Sequence, residues 1–435
     1  MPVKKSTSKA QNNCLLKFVH TADLHLGSPL ASRSVKEEAV ASRLMRATFE
    51  GFENIIELCI REDVDFLLIS GDIYDSADRE IYEQLTFRKY LKRLSDAGIP
   101  VYLAFGNHDP LDGWAARIDW PGNVHVMSGD EPECAFFKGR DGREAVIVGM
   151  SYRTRETYDN LAVRFPQKEK DWPFTIGMLH CTLSTGFGHE PYSPCSVSDL
   201  VERGYDYWAL GHIHKPGVIR ESRPAVVYPG NPQGRDIGES GPRGCYLVSV
   251  DSKYNADLQF IETAPILWGE AEVSIEGIET EGDLLERIHD TLTRIRRNSH
   301  GKAVLCRLTL TGRGRVHASL VREGTVSQII QSFGDDEAGK ADFVLIERIV
   351  DRTEPPIDRE RVAQRADIVG DVVQITDSIL KSDEALLALQ PVLADLFAST
   401  KGREYIIGPD LDELRELVRV AEIYLLDQFV GDESP

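Results

Sequence analysis

Residues 208–217, WALGHIHKPG, place two histidines two positions apart, behind a glycine and at the end of a short apolar run. Alternate side chains of an extended segment point the same way, so His212 and His214 can face one site. We expect Gly211 to let the chain turn where the strand ends. The pair suits metal ligation, but polar residues at a strand end are also common, and the motif alone leaves both interpretations open.

Composition predicts a globular protein of two or three domains. The chain has 435 residues and 42% hydrophobic content, enough for a sizeable core. No run approaches the roughly 18 apolar residues of a membrane span, and the basic N-terminal segment lacks a following apolar stretch, so a cytoplasmic protein without membrane contact is expected. The seven cysteines form no Cys-x-x-Cys pair and are interpreted as buried or incidental thiols.

The negative charge is concentrated in the second part of the chain. Of the formal charge of -20, residues 1–250 contribute 29 basic against 34 acidic side chains, and residues 251–435 contribute 21 against 36. An acidic total does not exclude a polyanionic substrate, because metal ions can neutralise a site locally.

The first 250 residues alternate between apolar strands and amphipathic helices. Phe52, Ile55, Ile56 and Cys59 repeat at helical spacing between the apolar runs LLKFVHT and DFLLIS. The alternation predicts an α/β fold of layered sheets flanked by helices, with some hairpins among the later strands.

The pattern of predicted strands and helices changes near residue 266. A β-α-β-α-β order there predicts a small α+β domain, and the chain beyond residue 355 is acidic and helical. Asp410, followed three residues later by Glu413, predicts an N-cap for a last helix. That helix carries a stripe interpreted as core packing or, alternatively, as a docking surface; its members are Leu414, Leu417, Val418, Ala421 and Leu425. The predicted organisation is a flexible tail (1–14), a main domain (15–265), a small domain (266–355) and a helical C-terminal region (356–435).

Five apolar runs of the main domain end in Asp, Asn or His. The residues at these ends are Asp23 and His25, Asp72 and Asp75, Asn107, His108 and Asp109, His180, and His212 and His214. Open α/β sheets bind ligands at the carboxyl ends of their strands. A single strand end of this kind is most often an ordinary turn. For five in succession that explanation would have to hold independently each time, so a shared functional site is the better interpretation.

The histidines divide in the same way. Five of the 11 stand at the strand ends just described. The other six (His20, His125, His189, His289, His300 and His317) are interpreted as structural, with His189 left open because it lies in a glycine-rich loop.

The donor set points to metal ions. Carboxylates, an amide and imidazoles without thiolates suit Mn²⁺, Fe²⁺, Zn²⁺ or Mg²⁺, and seven ligands are too many for one tetrahedral ion. Two divalent ions that share a bridging carboxylate fit the count and could clamp a phosphate.

The order of these motifs resembles the calcineurin-like metallophosphoesterases. The segments HTADLHLGSPL, LISGDIYD, FGNHDP, LGHIHKP and YPGNPQGR are similar to the DNA-repair branch of that family, the SbcD-like nuclease subunits of double-strand-break-repair complexes. The likeness reaches about residue 265. It implies a layered metallophosphoesterase β-sandwich flanked by helices, with a small capping domain and a partner-binding C-terminal region beyond it.

The resemblance also implies roles for single residues. Asp23, His25, Asp72 and His214 would hold one ion, and Asp72, Asn107, His180 and His212 the other, with Asp72 bridging. His108 would stabilise the transition state or protonate the leaving oxygen. Asp75 either orients a neighbouring group or caps the following helix. Asn231 and Arg235, with Gly230, would lie near the substrate path or mark a plain turn. Asp75, Asn231 and Arg235 are the candidate substrate-binding residues.

The expected function is a Mn²⁺-dependent DNA nuclease, an exonuclease with endonuclease activity as a further expectation, that uses a metal-activated water. By resemblance its partners would be DNA and an SMC-like ATPase, and a homodimer is possible. A phosphodiesterase or phosphatase for small substrates, and a mainly architectural DNA-end-binding subunit, are the alternatives. No stripe of basic residues stands out, so weak DNA binding by the isolated chain is expected. The basic residues that could gather on folding are Arg153, Arg155, Lys215 and Arg235.

Overall fold

The computed structural model describes ten parts of the chain: residues 14–30, 38–75, 80–114, 116, 118–139, 141–183, 191–337, 339–356, 359–397 and 409–430. Their residues fall into two compact units. The first holds the described part of Met1–Gly269 with Arg296–Leu305 and Glu337–Leu345, and the second holds Glu270–Ile295, Cys306–Asp336 and the described part of Ile346–Pro435. The predicted tail, apart from Cys14, and His189 lie outside the described residues. The predicted domain boundaries remain predictions.

The elements follow in chain order. The strands are β1 (Cys14–Thr21), β2 (Phe66–Ser70), β3 (Val101–Ala104), β4 (Val124–Val126), β5 (Glu133–Lys138), β6 (Glu144–Met150), β7 (Phe174–His180), β8 (Tyr207–Gly211), β9 (Gly217–Arg220), β10 (Ala225–Tyr228), β11 (Gly244–Asp251), β12 (Ala256–Glu262), β13 (Ile266–Ser274), β14 (Ala303–Arg313) and β15 (Val344–Glu354). The α-helices are α1 (Glu38–Arg61), α2 (Ile81–Asp96), α3 (Val197–Glu202), α4 (Glu281–Asn298), α5 (His317–Leu320), α6 (Thr325–Glu337), α7 (Arg359–Ala363), α8 (Ile368–Leu380), α9 (Asp383–Leu387), α10 (Gln390–Phe397) and α11 (Leu411–Val430). Two 3-10 turns, Leu161–Arg164 and Ile237–Glu239, complete the set.

Two six-stranded sheets form the first unit. One has the order β12-β11-β1-β2-β3-β4 and the other the order β5-β6-β7-β8-β10-β9. The strands β1, β2 and β3 run parallel, as do β6, β7 and β8, so their carboxyl ends share one edge of each sheet. This confirms the predicted α/β sandwich and brings the five motif-bearing strand ends toward one region.

The two sheets pack face to face through aromatic side chains. Phe18 of β1 stacks on Phe66 of β2 with ring centroids 5.1 Å apart, and it meets the edge of Tyr207 of β8 at 5.4 Å. Offset and edge-to-face pairs add to the burial of large apolar area. The outer faces are covered by separate clusters, in which Phe52 of α1 and Phe87 of α2 pack against the first sheet. The predicted helix face at Phe52 is therefore confirmed as core.

The second unit carries small helices that pack on α11. Asp410 accepts hydrogen bonds from the amides of Asp412 and Glu413, and the Glu413 carboxylate accepts from the Asp410 amide, so the predicted N-cap is confirmed. The strands β13, β14 and β15 form a three-stranded sheet in that order.

The predicted stripe on α11 was wrong in part. Leu417 is 47% exposed and Leu425 39%, whereas Leu414, Val418 and Leu426 are buried. The buried row also contains Glu422, whose carboxylate accepts two hydrogen bonds from Arg359 at 2.6 and 3.0 Å. A hydrophobic pattern could not reveal a row that is interrupted by a buried, paired carboxylate.

Among the helices that the structure describes, none combines the length and the apolar character needed to cross a bilayer.

Gly211 is required by a close approach and not, as expected, by a turn. It is the last residue of β8, its backbone is not in the left-handed region, and a Cβ there would lie 1.9 Å from the Ser70 carbonyl oxygen and 2.8 Å from His180 Nδ1. The missing side chain lets the ends of β2, β7 and β8 converge.

We expect Gly211→Ala to lower the free energy of unfolding by about 1–3 kcal/mol, the range for overpacking a tight site. Urea unfolding measures the change. Gly217→Ala is the matched control, because a Cβ at Gly217 meets no atom within 4 Å. Equal effects of the two substitutions would contradict the steric explanation.

Candidate metal centre

The structure gathers the predicted ligands into two adjacent groups. One group contains Asp23, His25 and His214, and the other contains Asp72, His180 and His212; within each, the candidate ligand atoms lie within 4.8 Å of one another. His212 and His214 thus belong to different groups although they are two residues apart. This division is the one that the resemblance implied.

The backbone at these residues is strained. Asp23, His25, Asp72 and His212 have φ values of 52°, 43°, 51° and 96°, which make up half of the eight non-glycine residues with positive φ in the described part of the chain. Such conformations are costly for side-chain-bearing residues and concentrate at functional sites. This backbone strain is evidence for a functional site, and that evidence does not depend on which residue types lie there.

Hydrogen bonds lock the ligand loops to one another. The amides of Asp23 and His25 donate to the carbonyls of Gly71 and Asp72 at 3.0 and 3.1 Å. The Asp23 carboxylate accepts from the His212 amide at 3.0 Å, and Asp72 Oδ1 accepts from the His108 amide at 3.0 Å. The loops after four different strands are therefore held as one rigid assembly.

Asp109 acts as a hub beneath this assembly. Its Oδ2 accepts from the amides of Ile73 and Tyr74 at 2.7 and 3.2 Å, and its Oδ1 accepts from the Gly106 amide at 2.8 Å. The carboxylate is fully buried. It fixes the loop that carries Asp72 against the loop that carries His108.

The site is dominated by two buried carboxylates. Burial raises the pKa of Asp23 to about 6. Burial would also raise the pKa of Asp72, but His180, whose Nε2 lies 3.3 Å from Asp72 Oδ2, holds it well below its usual range. The reverse applies to His180, where burial is outweighed by Asp72 and its pKa rises to about 9. Asp72 and His180 thus each stabilise the charged form of the other.

The residues fit divalent cations. His25 Nδ1 lies 2.9 Å from Asp75 Oδ1 and His214 Nδ1 lies 2.5 Å from Glu239 Oε1, while the two Nε2 atoms face each other at 3.1 Å. Two imidazoles that both turn Nε2 toward one point, beside a buried carboxylate, form the donor arrangement of a nitrogen- and oxygen-ligated ion.

Asn107 and His108 lie where the motif predicts. Asn107 is buried, and its Oδ1 is 3.0 Å from His180 Nε2, on the side of the second group. The His108 side chain is partly exposed and its Nδ1 is 3.2 Å from the Asp75 carbonyl oxygen. His108 therefore faces the open side of the site, and it belongs to neither of the two groups.

Asp75 makes a third group of possible ligands with His25 and His108. Its Oδ1 also accepts from Arg235 Nη1 at 2.6 Å and lies 3.7 Å from His108 Nδ1. A carboxylate already paired with a guanidinium is a poor ligand for a further cation, so the group is better explained as a hydrogen-bond cluster that orients both histidines. Of the two roles left open for Asp75, this placement favours orientation.

Asn231 and Arg235 both have polar partners within the chain. The amide of Asn231 is buried, donates to Glu239 Oε2 at 2.7 Å and accepts from Arg243 Nη1 at 3.1 Å. Arg235 is bound to Asp75. Internal partners thus use both ends of the Asn231 side-chain amide, whereas Arg235 bonds to Asp75 through Nη1 and its Nε has no hydrogen-bond partner among the described residues. The substrate contacts predicted for these two residues remain predictions.

Sequence reasoning missed Glu239. It lies in the turn Ile237–Glu239 after the YPGNPQGR segment, and no motif spacing marks it. The loop between β10 and β11 brings it against His214. Among the other histidines, His20 is buried with its ring nitrogens 3.0 Å from Tyr207 Oη and 3.1 Å from the Leu210 carbonyl, in keeping with the structural interpretation.

A cavity of about 780 Å³ opens onto the site. Asp72, Asn107, His108, His212 and His214 line it on the metal side. Exposed Arg155 and Lys215 line it elsewhere, and neither pairs with a carboxylate among the residues that the structure describes. A single molecule bound in the cavity could therefore contact candidate metal ligands, the partly exposed His108 and the basic side chains of Arg155 and Lys215.

Known proteins share these features. A model of the calcineurin-like phosphoesterases matches residues 16–216, and a model of the middle domain of metallophosphoesterase YhaO matches residues 268–354. The chain is 40% identical over 341 residues to the uncharacterized metallophosphoesterase YhaO of Bacillus subtilis, covering 78% of this chain and 82% of that protein.

More distant relatives include a DNA double-strand break repair protein and a nuclease subunit. The DNA double-strand break repair protein Mre11 of Methanopyrus kandleri is 24% identical, over 63% of this chain and 62% of its own length. The SbcD component of the nuclease SbcCD of Bacillus subtilis is 22% identical, over 55% of this chain and 66% of its own length.

The fold and the site define a metal-dependent hydrolase of phosphoester bonds. The chain belongs to the calcineurin-like phosphoesterase family, whose members use a dinuclear metal site.

We expect Asp109→Asn to lower the free energy of unfolding by about 1–3 kcal/mol, because an amide cannot accept from all three backbone donors and leaves a buried N–H unpaired. Chemical denaturation tests this. Asp112→Asn, three residues away on an exposed side chain, is the control and should change stability by less than about 0.5 kcal/mol. Similar losses of unfolding free energy in the two variants would contradict the role of Asp109 in fixing the two loops.

Proposed function

We propose that this protein is a Mn²⁺-dependent DNA nuclease, an exonuclease with endonuclease activity in addition, that acts in double-strand-break repair. The observation that carries the proposal is that one open cavity is lined by His108 together with His214 of the first ligand group and Asp72 and His212 of the second. The distant likeness to Mre11 and to the SbcD component of SbcCD supports DNA as the substrate.

In this proposal each candidate ligand has a defined role. Asp23, His25 and His214 would hold one cation, Asn107, His180 and His212 would hold the other, and Asp72 would be shared between them. When bound, the two cations supply the Lewis acidity that activates water for attack on a phosphate and neutralises the charge of the transition state.

His108 acts on the substrate and not on the cations. Its ring is partly exposed to the cavity, and Asp75 Oδ1 stands 3.7 Å from its Nδ1. The backbone carbonyl of Asp75, which accepts from His108 Nδ1 at 3.2 Å, orients the ring. Nε2 is then left to donate a proton to the leaving oxygen or a hydrogen bond to a phosphate oxygen. Arg235 in turn fixes Asp75 at 2.6 Å.

Arg155 and Lys215 provide the binding groups for flanking phosphates. Of the four basic residues that the sequence offered for this role, only these two line the cavity. Arg153 pairs with Asp130 and Arg235 pairs with Asp75. Two basic side chains supply little affinity for a polyanion, so weak DNA binding by the isolated chain remains the expectation.

A second candidate function is hydrolysis of a small phosphoester. The volume of the cavity and the relative YhaO, whose name gives a metallophosphoesterase and no substrate, favour this alternative. The same residues would serve, and Arg155 and Lys215 would bind a single substrate phosphate.

We expect His108→Ala to reduce kcat about 10²- to 10⁴-fold, the usual contribution of a general acid, while two Mn²⁺ ions still bind. The assay uses end-labelled linear duplex, single-stranded DNA and an aryl phosphodiester with Mn²⁺. Asp72→Ala is the comparison, because it should abolish both activity and the paired binding of ions.

The three substrates separate the candidate functions. Turnover of the aryl ester with neither DNA degraded, even after an ATPase partner is added, would overturn the nuclease proposal in favour of a small substrate. Binding of DNA ends without cleavage of any substrate would indicate an architectural role.

We expect the double substitution Arg155→Ala, Lys215→Ala to weaken DNA binding and to make its salt dependence shallower. On duplex DNA the slope of log K against log salt should fall by about 0.9 for each phosphate that the variant no longer neutralises. Fluorescence anisotropy over a salt series measures it. Arg153→Ala is the control, since this side chain is occupied by Asp130, and an equal change of slope in the control would contradict the assignment.

A further inference from the structure

Glu239 stands directly behind a predicted ligand. Its Oε1 lies 2.5 Å from His214 Nδ1, and its side chain is only 14% exposed. Because a carboxylate accepts hydrogen bonds, this contact places the proton of the imidazole on Nδ1 and leaves the lone pair on Nε2. That Nε2 is the atom that faces His25 Nε2 at 3.1 Å.

The position of the carboxylate is over-determined. Its other oxygen, Oε2, accepts from Asn231 Nδ2 and from the Arg235 amide, each at 2.7 Å. Buried Arg243 donates to the Glu239 carbonyl at 2.8 Å and to Asn231 Oδ1 at 3.1 Å. Neither oxygen of Glu239 can move without breaking a hydrogen bond, so the ring of His214 has one favoured orientation.

His180 of the other ligand group differs from His214 in this respect. In the group of Asp23, His25 and His214, both imidazoles have a carboxylate on Nδ1, namely Asp75 at 2.9 Å and Glu239 at 2.5 Å. In the other group, His180 Nδ1 has the neutral carbonyl of Ser70 as its partner at 2.9 Å. An anionic partner makes an imidazole a stronger donor, and removal of such a partner typically reduces metal affinity about 10- to 100-fold.

We propose that Glu239 is a positioning residue: it holds His214 as an Nε2 ligand and raises the affinity of the Asp23–His25–His214 group for a divalent cation. The inference rests on the proposed metal centre. It adds to that centre a residue, Glu239, that the sequence motifs do not contain, and it assigns to this residue an effect on the affinity of one of the two ions.

Glu239→Gln tests the proposal with Mn²⁺ alone. An amide has one acceptor and one donor end, so it must give up the hydrogen bond from His214 or turn an N–H toward Asn231 and Arg235. We expect equilibrium dialysis and titration calorimetry to show one ion weakened about 10- to 100-fold and the other unchanged within about twofold. The exchange-coupled Mn²⁺ signal in electron paramagnetic resonance should disappear at metal concentrations that saturate the unaltered protein.

A double-mutant cycle distinguishes positioning from general support of the fold. On a His214→Ala background, Glu239→Gln should cause no further weakening of the ion that Asp23 and His25 still bind, because its target is gone. Glu239→Asp keeps the charge on a shorter side chain and should weaken the affected ion less than Glu239→Gln does. This variant also provides a second measurement if Glu239→Gln lowers stability.

Glu347→Gln is the matched control. Glu347 is also 14% exposed and binds Arg307 at 3.1 Å, and it belongs to the second unit, whereas the ligands belong to the first. The substitution should leave both ions unchanged. Unchanged binding in Glu239→Gln, equal weakening of both ions, or full additivity with His214→Ala would overturn the proposal. If the unaltered protein binds fewer than two ions, both the proposed metal centre and the proposed role of Glu239 fail. The three outcomes just named contradict only the role of Glu239 and leave the proposed metal centre intact.

Discussion

The burial of negative charge at the ends of β1 and β2 is the constraint on which the first unit depends. Asp23 and Asp72 are inaccessible to water, and a carboxylate in such a place needs a compensating cation or a proton. Burial would lower the pKa of His180, but Asp72 raises it to about 9, and burial raises the pKa of Asp23 to about 6. Divalent cations satisfy the same demand with the imidazoles neutral. The chemistry of the site and the stability of the sheet edge are therefore linked.

That charge can be held only because the backbone around it is rigid. Strained φ angles at Asp23 and Asp72 are maintained by hydrogen bonds between loops, and Asp109 ties two of these loops together from below. The close approach at Gly211 completes the arrangement, since any side chain there would separate β8 from β2. Placement of the ligands is thus a property of the whole sandwich edge, which explains why they come from five separate strand ends.

The sequence predicted what depends on local pattern. Strands, helices and the strand-end motifs all have signals within a few residues, and the alternation in His212-x-His214 sufficed to bring that pair to the site. Contacts between distant loops have no such signal. The pairing of Arg235 with Asp75, 160 positions away, and of Glu239 with His214 arises only when the loop after β10 folds back. Likewise the buried face of α11 is set by Glu422 and its partner Arg359, a pair that hydrophobic spacing cannot indicate.

The same pairing bears on how an acidic chain could act on DNA. Two of the four candidate basic residues are neutralised by internal carboxylates, so among those four the permanent positive charge at the cavity is limited to Arg155 and Lys215. With a formal charge of -20, the long-range field opposes a polyanion. On the proposed ligand assignment, the strongest local attraction for a phosphate would then come from divalent ions held by Asp23, Asp72 and the four imidazoles. On this argument substrate binding and catalysis depend on the same ions, and removal of metal would reduce affinity for a phosphoester as well as its turnover.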